Sequence, residues 1–296
     1  MNRLTSEKIE FRKIRNFSEH INAAANFINQ NFAKMLKILL QVAGIYVALG
    51  LATIMVGFYL GFMDLFTIES IEAFEALNLE LIGGISSIAA IFFMIGNVLY
   101  TAATYRYILE YIYRDDYDQL NVSNIKQYLG RDSKIVFFTY LSLFFLGFCS
   151  FFIIIIPFIG VLTFFFGWIY LIVPLSFIFL LRIHEKIGFM KAIKRCRYLL
   201  EGHWWQTFGL YCITGLIMYS ISISPSLFSG FGYDIGELLN SSEISTLLFG
   251  IFYIISVLVS IITSIAFSVV IAFRYFSLLE VKEGVNMMER IQELGK

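Results

Sequence analysis

Six long apolar runs, each bounded by polar and charged residues, set the pattern of this chain. A bilayer's hydrocarbon core is about 30 Å thick, so a helix rising about 1.5 Å per residue needs roughly 20 apolar residues to cross it. By that measure the runs at about 36–62, 82–105, 135–156, 158–181, 204–227 and 246–273 each predict a membrane-spanning helix. Only Ile156-Pro157-Phe158-Ile159-Gly160 parts the third run from the fourth. That spacing predicts a tight hairpin in which Pro157 stops one helix and Gly160 supplies flexibility. The fold class expected is all-α, a polytopic membrane bundle of six transmembrane helices. Residues 1–35 form a basic amphipathic leading segment, and 36–296 the membrane domain. The first run starts well inside the chain and exceeds a signal h-region in length, so it reads as a span.

The polar stretches carry a second period. Ile9, Phe11, Ile14, Phe17, Ile21, Ala24 and Phe27 recur at helical spacing among Lys8, Arg12, Lys13, Arg15 and Glu19, predicting an amphipathic helix in the headgroup plane or, alternatively, one that docks a soluble partner. Residues 118–133 and 185–203 repeat the design, each followed at once by a span. In the latter, Phe189, Met190, Ile193, Cys196 and Leu200 oppose Lys191, Lys194 and Arg195. Each even-numbered span ends in an arginine with a carboxylate after it: Arg106 with Glu110, Arg182 with Glu185, Arg274 with Glu280. These arginines lie 76 and 92 residues apart. The chain thus reads as three parallel helix-hairpin repeats, each an interfacial helix, an outward span and an inward span.

Charge orients this scheme. All 22 Lys and Arg residues fall before span one, between spans two and three, between four and five, or after six. Basic residues near helix ends resist translocation, which places both termini in the cytoplasm and predicts a multi-pass membrane protein. Eight carboxylates (Asp64, Glu69, Glu72, Glu75, Glu80, Asp234, Glu237, Glu243) fall in the outer loops, so a formal net charge of zero divides into plus eight inside and minus eight outside. Composition agrees: 58% of residues are hydrophobic and 15% charged, against about 25% charged in soluble domains.

The stretch Ala192 to Leu216, AIKRCRYLLEGHWWQTFGLYCITGL, resembles the basic helix and Gly-containing span of the membrane domain attached to some glycerophosphoryl diester phosphodiesterases. It is also similar to six-helix bacterial integral membrane proteins, and the closing Ala272-Phe273-Arg274-Tyr275-Phe276-Ser277-Leu278-Leu279-Glu280 looks like the tail of the version common in Bacteroidota. The resemblance implies a six-helix fold in a bacterial cytoplasmic (inner) membrane and no catalytic residues. No segment here could house a phosphodiesterase barrel of about 250 residues, so hydrolysis by that route is excluded.

Candidate chemistry is sparse. His20, His184 and His203 are widely separated, and the sequence holds no HExxH, phosphate-binding glycine loop or nucleophile elbow. His203-Trp204-Trp205 reads as an interfacial aromatic belt. Arg114-Asp115-Asp116-Tyr117-Asp118 lacks the glycine and distal glutamate of a calcium loop and reads as a solvated turn or helix cap. Three cysteines, two of them within spans, predict no disulfide. Ser256, Ser260, Ser264, Ser268 and Ala272 recur at every fourth position of span six, as do Gly44, Ala48 and Ala52 in span one. Such stripes let helices approach closely; lining a polar conduit is the other reading of the serines. Arg106, Arg182 and Arg274 could form a ring, one per repeat, meeting lipid phosphates or an acidic partner surface.

The function expected is that of a noncatalytic integral membrane protein that assembles with, scaffolds or regulates other inner-membrane proteins. Its partners are membrane lipids and other integral membrane proteins, with no metal, cofactor or nucleic acid. The alternatives are a carrier or conduit for a lipid or other apolar substrate, and a lipid-modifying enzyme drawing on Glu110, Asp115, Asp116 and His184.

Overall fold

A computed structural model of the chain describes residues 8–60, 79–156, 159–238 and 242–284. The expected turn at Pro157, the carboxylates Glu69, Glu72 and Glu75, and Arg290 lie outside the described residues. Among those described there is no strand. The helices are α1 (Phe17–Tyr59), α2 (Leu79–Tyr113), α3 (Val122–Phe151), α4 (Ile159–Ser176), α5 (Ile178–Glu185), α6 (Phe189–Leu200), α7 (Trp204–Leu238) and α8 (Ser242–Glu283), with 3-10 turns at Tyr117–Gln119 and Phe152–Ile155.

Among the described residues six stretches are long and apolar enough to cross a membrane: Phe17–Gly57, Glu80–Tyr113, Val122–Ile155, Ile159–Glu185, Trp204–Pro225 and Leu247–Glu283. The chain is therefore an all-α, multi-pass membrane bundle. Its helices outrun the expected spans because the amphipathic stretches mostly continue them. Residues 28–37 and 131–136 contain neither Gly nor Pro, so α1 and α3 run through these junctions without a break. Among the described residues α6 stands as a separate amphipathic helix. Before it, Lys186 adopts the left-handed conformation; after it, Gly202 has a φ of 79°. The left-handed region breaks the i to i−4 ladder, and glycine enters it at least cost.

The leading segment departs further from expectation, because its helix begins at Phe17 and residues 8–16 are not helical. Phe11 is buried instead of facing a membrane surface. Its ring stacks on Phe273 at 3.9 Å and meets Phe27 edge-on at 5.1 Å. Lys8 donates from Nζ to the carbonyls of Ile112 and Arg114 at the end of α2, where a cation meets the negative pole of the helix. The Asn16 N–H donates to the Glu19 carboxylate at 2.9 Å, which starts α1.

The chain divides into two compact units. Unit 1 comprises Met1–Leu39, Thr101–Gly215 and Ala266–Lys296, and unit 2 comprises Leu40–Tyr100 and Leu216–Ile265. The twelve largest fully buried side chains among the described residues, Tyr107, Tyr111, Tyr275 and Phe177 among them, all belong to unit 1. In unit 2, α1 and α2 approach at glycines: a Cβ on Gly50 would lie 3.1 Å from the Phe93 ring, and one on Gly96 would lie 3.5 Å from Tyr46 Cβ. The expected stripe of Gly44, Ala48 and Ala52 is not that contact, since Ala48 and Ala52 are exposed. Bulk on the partner helix decides where a small residue is needed, and spacing along one helix does not report it.

Candidate functional site

The polar chemistry of unit 1 begins with the three arginines, and the structure ties each of them across helices. Arg106 reaches Asp132 of α3 with Nε at 2.6 Å and Nη2 at 2.5 Å, while Nη1 lies 3.6 Å from Glu110. Both Arg106 and Asp132 are buried. Arg131 Nε comes within 3.1 Å of the other Asp132 oxygen, and the Tyr128 ring lies against both guanidinium groups. Arg182 donates to Thr139 Oγ1 at 2.6 Å, and the buried Arg274 to Thr207 Oγ1 at 2.9 Å. Arg106 and Arg274 are buried and Arg182 half-buried, and each spends at least one donor on a neighbouring helix. The expected pairing of Arg182 with Glu185 is replaced by one of Glu185 with Arg195, at 3.1 Å.

These ties follow one plan. Thr139 donates to the carbonyl of Ile135 and Thr207 to that of His203, each four residues back. Each hydroxyl oxygen then accepts from the arginine of the helix that returns. In the first hairpin Asn31 donates to the Phe27 carbonyl at 3.1 Å and accepts from Tyr107, beside Arg106, at 3.1 Å. A small polar side chain folded onto its own helix therefore receives one donor from the returning helix in all three hairpins. Sequence reading missed Asn31, Thr139 and Thr207 because their residue types are unremarkable at a span's polar end.

A second network joins five elements. Arg12 Nη2 donates to Tyr113 Oη at 2.6 Å, and Tyr113 Oη lies 2.6 Å from His184 Nε2. His184 Nδ1 lies 2.9 Å from Tyr275 Oη, which donates to Glu185 Oε1 at 3.3 Å. Arg195 closes the line between Glu185 and Glu283. The Tyr275 proton goes to Glu185, so Tyr275 accepts from His184 Nδ1–H, and Nε2 accepts from Tyr113. One tautomer satisfies every group. Burial acts to lower the Arg195 pKa, but hydrogen bonds to Glu283 and Glu185 outweigh it and raise the value, holding the cation.

His184, Glu110, Arg106, Arg131, Tyr113 and Lys186 border a cleft of about 370 Å³. Of the groups considered for lipid chemistry, Glu110 and His184 thus share a cleft. Asp116 instead pairs with Arg114 at 2.7 Å, whose hydrogen bond lowers its pKa, and Asp115 is exposed. No group of three potential metal ligands occurs among the described residues. In the serine stripe, Ser260 and Ser264 are exposed, Ser256 and Ser268 half-buried, and Ala272 buried. Ser256 and Ser264 donate to carbonyls of their own helix. Within unit 2 the buried Thr263 hydroxyl meets the half-buried Ser222 hydroxyl at 2.8 Å.

Fold and site together define a multi-pass membrane protein whose buried polar groups join helices to one another. No family model, curated protein or solved structure matches this chain.

Proposed function

We propose that the chain is a noncatalytic subunit of the bacterial inner membrane, with both termini in the cytoplasm, that assembles with and supports other integral membrane proteins. Kinship with six-helix membrane proteins such as the domain attached to glycerophosphoryl diester phosphodiesterases belongs to the same proposal. The observation that carries it is the condition of α3. Only 6% of its most apolar stretch is buried by the rest of the chain, against 39% for the stretch spanning α4 and α5. Phe138, Phe144, Phe145, Phe148 and Phe151 stand exposed along that helix. Aromatic side chains supply large contact area at low entropic cost, which suits a lateral protein interface. The commitment of both His184 nitrogens and of the three arginines to internal bonds supports a structural role for the polar groups.

Site-specific photocrosslinking in native membranes tests this. A photoreactive residue replacing Phe144 or Phe148 should give a discrete protein adduct, and one replacing Ile172 on α4 should not. Adducts to lipid alone at all three positions would contradict the proposal.

A further inference from the structure

A second cleft, of about 490 Å³, opens between α4, α6 and the start of α7. This is within the range of about 300–1,000 Å³ typical of small-ligand sites. Tyr170, Pro174, Tyr198 and Trp204 supply its aromatic and apolar wall, and Arg197 and Glu201 are the charged residues that line it. Arg197 lies in the last turn of α6, and Glu201 caps its end with a ψ of 122°, off the helical path. Among the described residues neither side chain forms an ion pair, and both are exposed. Two nearby cations are otherwise occupied: Arg195 is held between Glu185 and Glu283, and Lys282 lies over the Tyr198 ring.

The wall is rigid. Trp204 Nε1 donates to the Tyr170 carbonyl at 3.2 Å, and its ring stacks on those of Tyr170 and Phe208. Gly202, at a φ of 79°, turns the chain so that Glu201 precedes Trp204 at the cleft's edge. On α4, Leu162, Phe166 and Tyr170 are exposed at four-residue steps and form an apolar track leading away from the cleft. A cation and an anion that line one cleft without pairing, aromatic rings in the same wall and an apolar track beyond match an amphiphile whose head carries both charges.

We propose that this cleft binds the headgroup of a zwitterionic aminophospholipid, with its phosphate on Arg197, its primary ammonium on Glu201 and an acyl chain along Tyr170, Phe166 and Leu162. The carboxylate selects a head with N–H donors, which ethanolamine has and choline lacks. This site is independent of the α3 interface and of whether any protein partner exists.

The test uses the full-length chain in detergent with Trp168→Phe and Trp205→Phe, leaving Trp204 as the reporter. Phosphatidylethanolamine with brominated acyl chains should quench Trp204 at a several-fold lower mole fraction than brominated phosphatidylcholine or phosphatidylglycerol. Stepwise N-methylation of the ethanolamine head should weaken quenching in order, which needs no further variant. Glu201→Gln should erase the preference for ethanolamine over choline, and Arg197→Gln should weaken all three lipids. Soluble glycerophosphoethanolamine at the same concentration should not compete, because it lacks the chains. Equal quenching by the three lipids, indifference to N-methylation, or full competition by the soluble head would overturn the proposal.

Discussion

Trp204 Nε1 donates to the backbone carbonyl of Tyr170, four residues before Pro174. Proline has no N–H, so it cannot provide the helical hydrogen bond that this carbonyl would ordinarily accept. Trp204, at the first position of α7, takes its place, and just beyond Pro174 the helix is interrupted at Phe177 between α4 and α5. Trp204→Phe should lower stability by about 1 kcal/mol in the parent chain, the net value of a hydrogen bond. In a Pro174→Ala background the carbonyl regains its own helix's donor, so the same change should cost little. Thermal unfolding of the four chains in detergent measures the coupling, and additive effects would reject the substitution of one donor for the other.

The Arg106 and Asp132 pair is buried, and removing one partner of such a pair strands the other charge. Asp132→Asn should therefore destabilise by about 3–5 kcal/mol, whereas the double change Arg106→Met with Asp132→Leu should recover most of that loss. Unfolding midpoints of the single and double variants provide the check. A double variant no better than Asp132→Asn would mean that α2 and α3 depend on the ion pair for more than neutralisation.

Cys196 is buried on α6, and desolvation, with Glu185 nearby, pushes its thiol up to about 12. A hydrophilic maleimide should leave it unmodified in the folded protein and react once the chain is denatured. The sign of the pH effect follows from the raised value. Below pH 9 the thiol is protonated in both states and has no effect; between 9 and about 12 the unfolded chain loses its proton first, and stability falls. Removing the thiol by Cys196→Ala should flatten that alkaline decline relative to the parent, as read from melts across pH 8–11. Identical slopes would argue against the buried environment.

Gly50, and not Gly44, governs the approach of α1 to α2 in unit 2. Gly50→Leu should cost about 1–3 kcal/mol through overpacking against Phe93, and Phe93→Ala should relieve part of it. A Cβ at Gly44 meets only Leu40 of its own helix, at 3.6 Å, so Gly44→Leu should be tolerated. The reverse order of melting temperatures would restore the stripe of Gly44, Ala48 and Ala52 as the packing face.

Spans were legible because about 20 apolar residues in a row have few other fates. The location of the core was not. Apolar side chains in the spans face lipid as readily as protein, so hydrophobicity cannot separate the exposed Phe144 from the buried Phe177. Phe11 illustrates the same limit: its spacing with Ile14 and Phe17 suits an amphipathic helix, yet long-range stacking on Phe273 prevails over that local period. Arg106, Arg182 and Arg274 were visible as a set. Their partners Asp132, Thr139 and Thr207 depend on which helices adjoin, which a period along one chain does not encode.

The account depends above all on six crossings with every basic cluster on the cytoplasmic side. Single cysteines placed in a cysteine-free chain at Lys126, Lys194 and Glu80, probed with a membrane-impermeant maleimide on intact and permeabilised cells, test it most directly. Labelling of Glu80→Cys in intact cells, with Lys126→Cys and Lys194→Cys reacting only after permeabilisation, is the predicted result. Labelling of Lys126→Cys or Lys194→Cys from outside intact cells would contradict it.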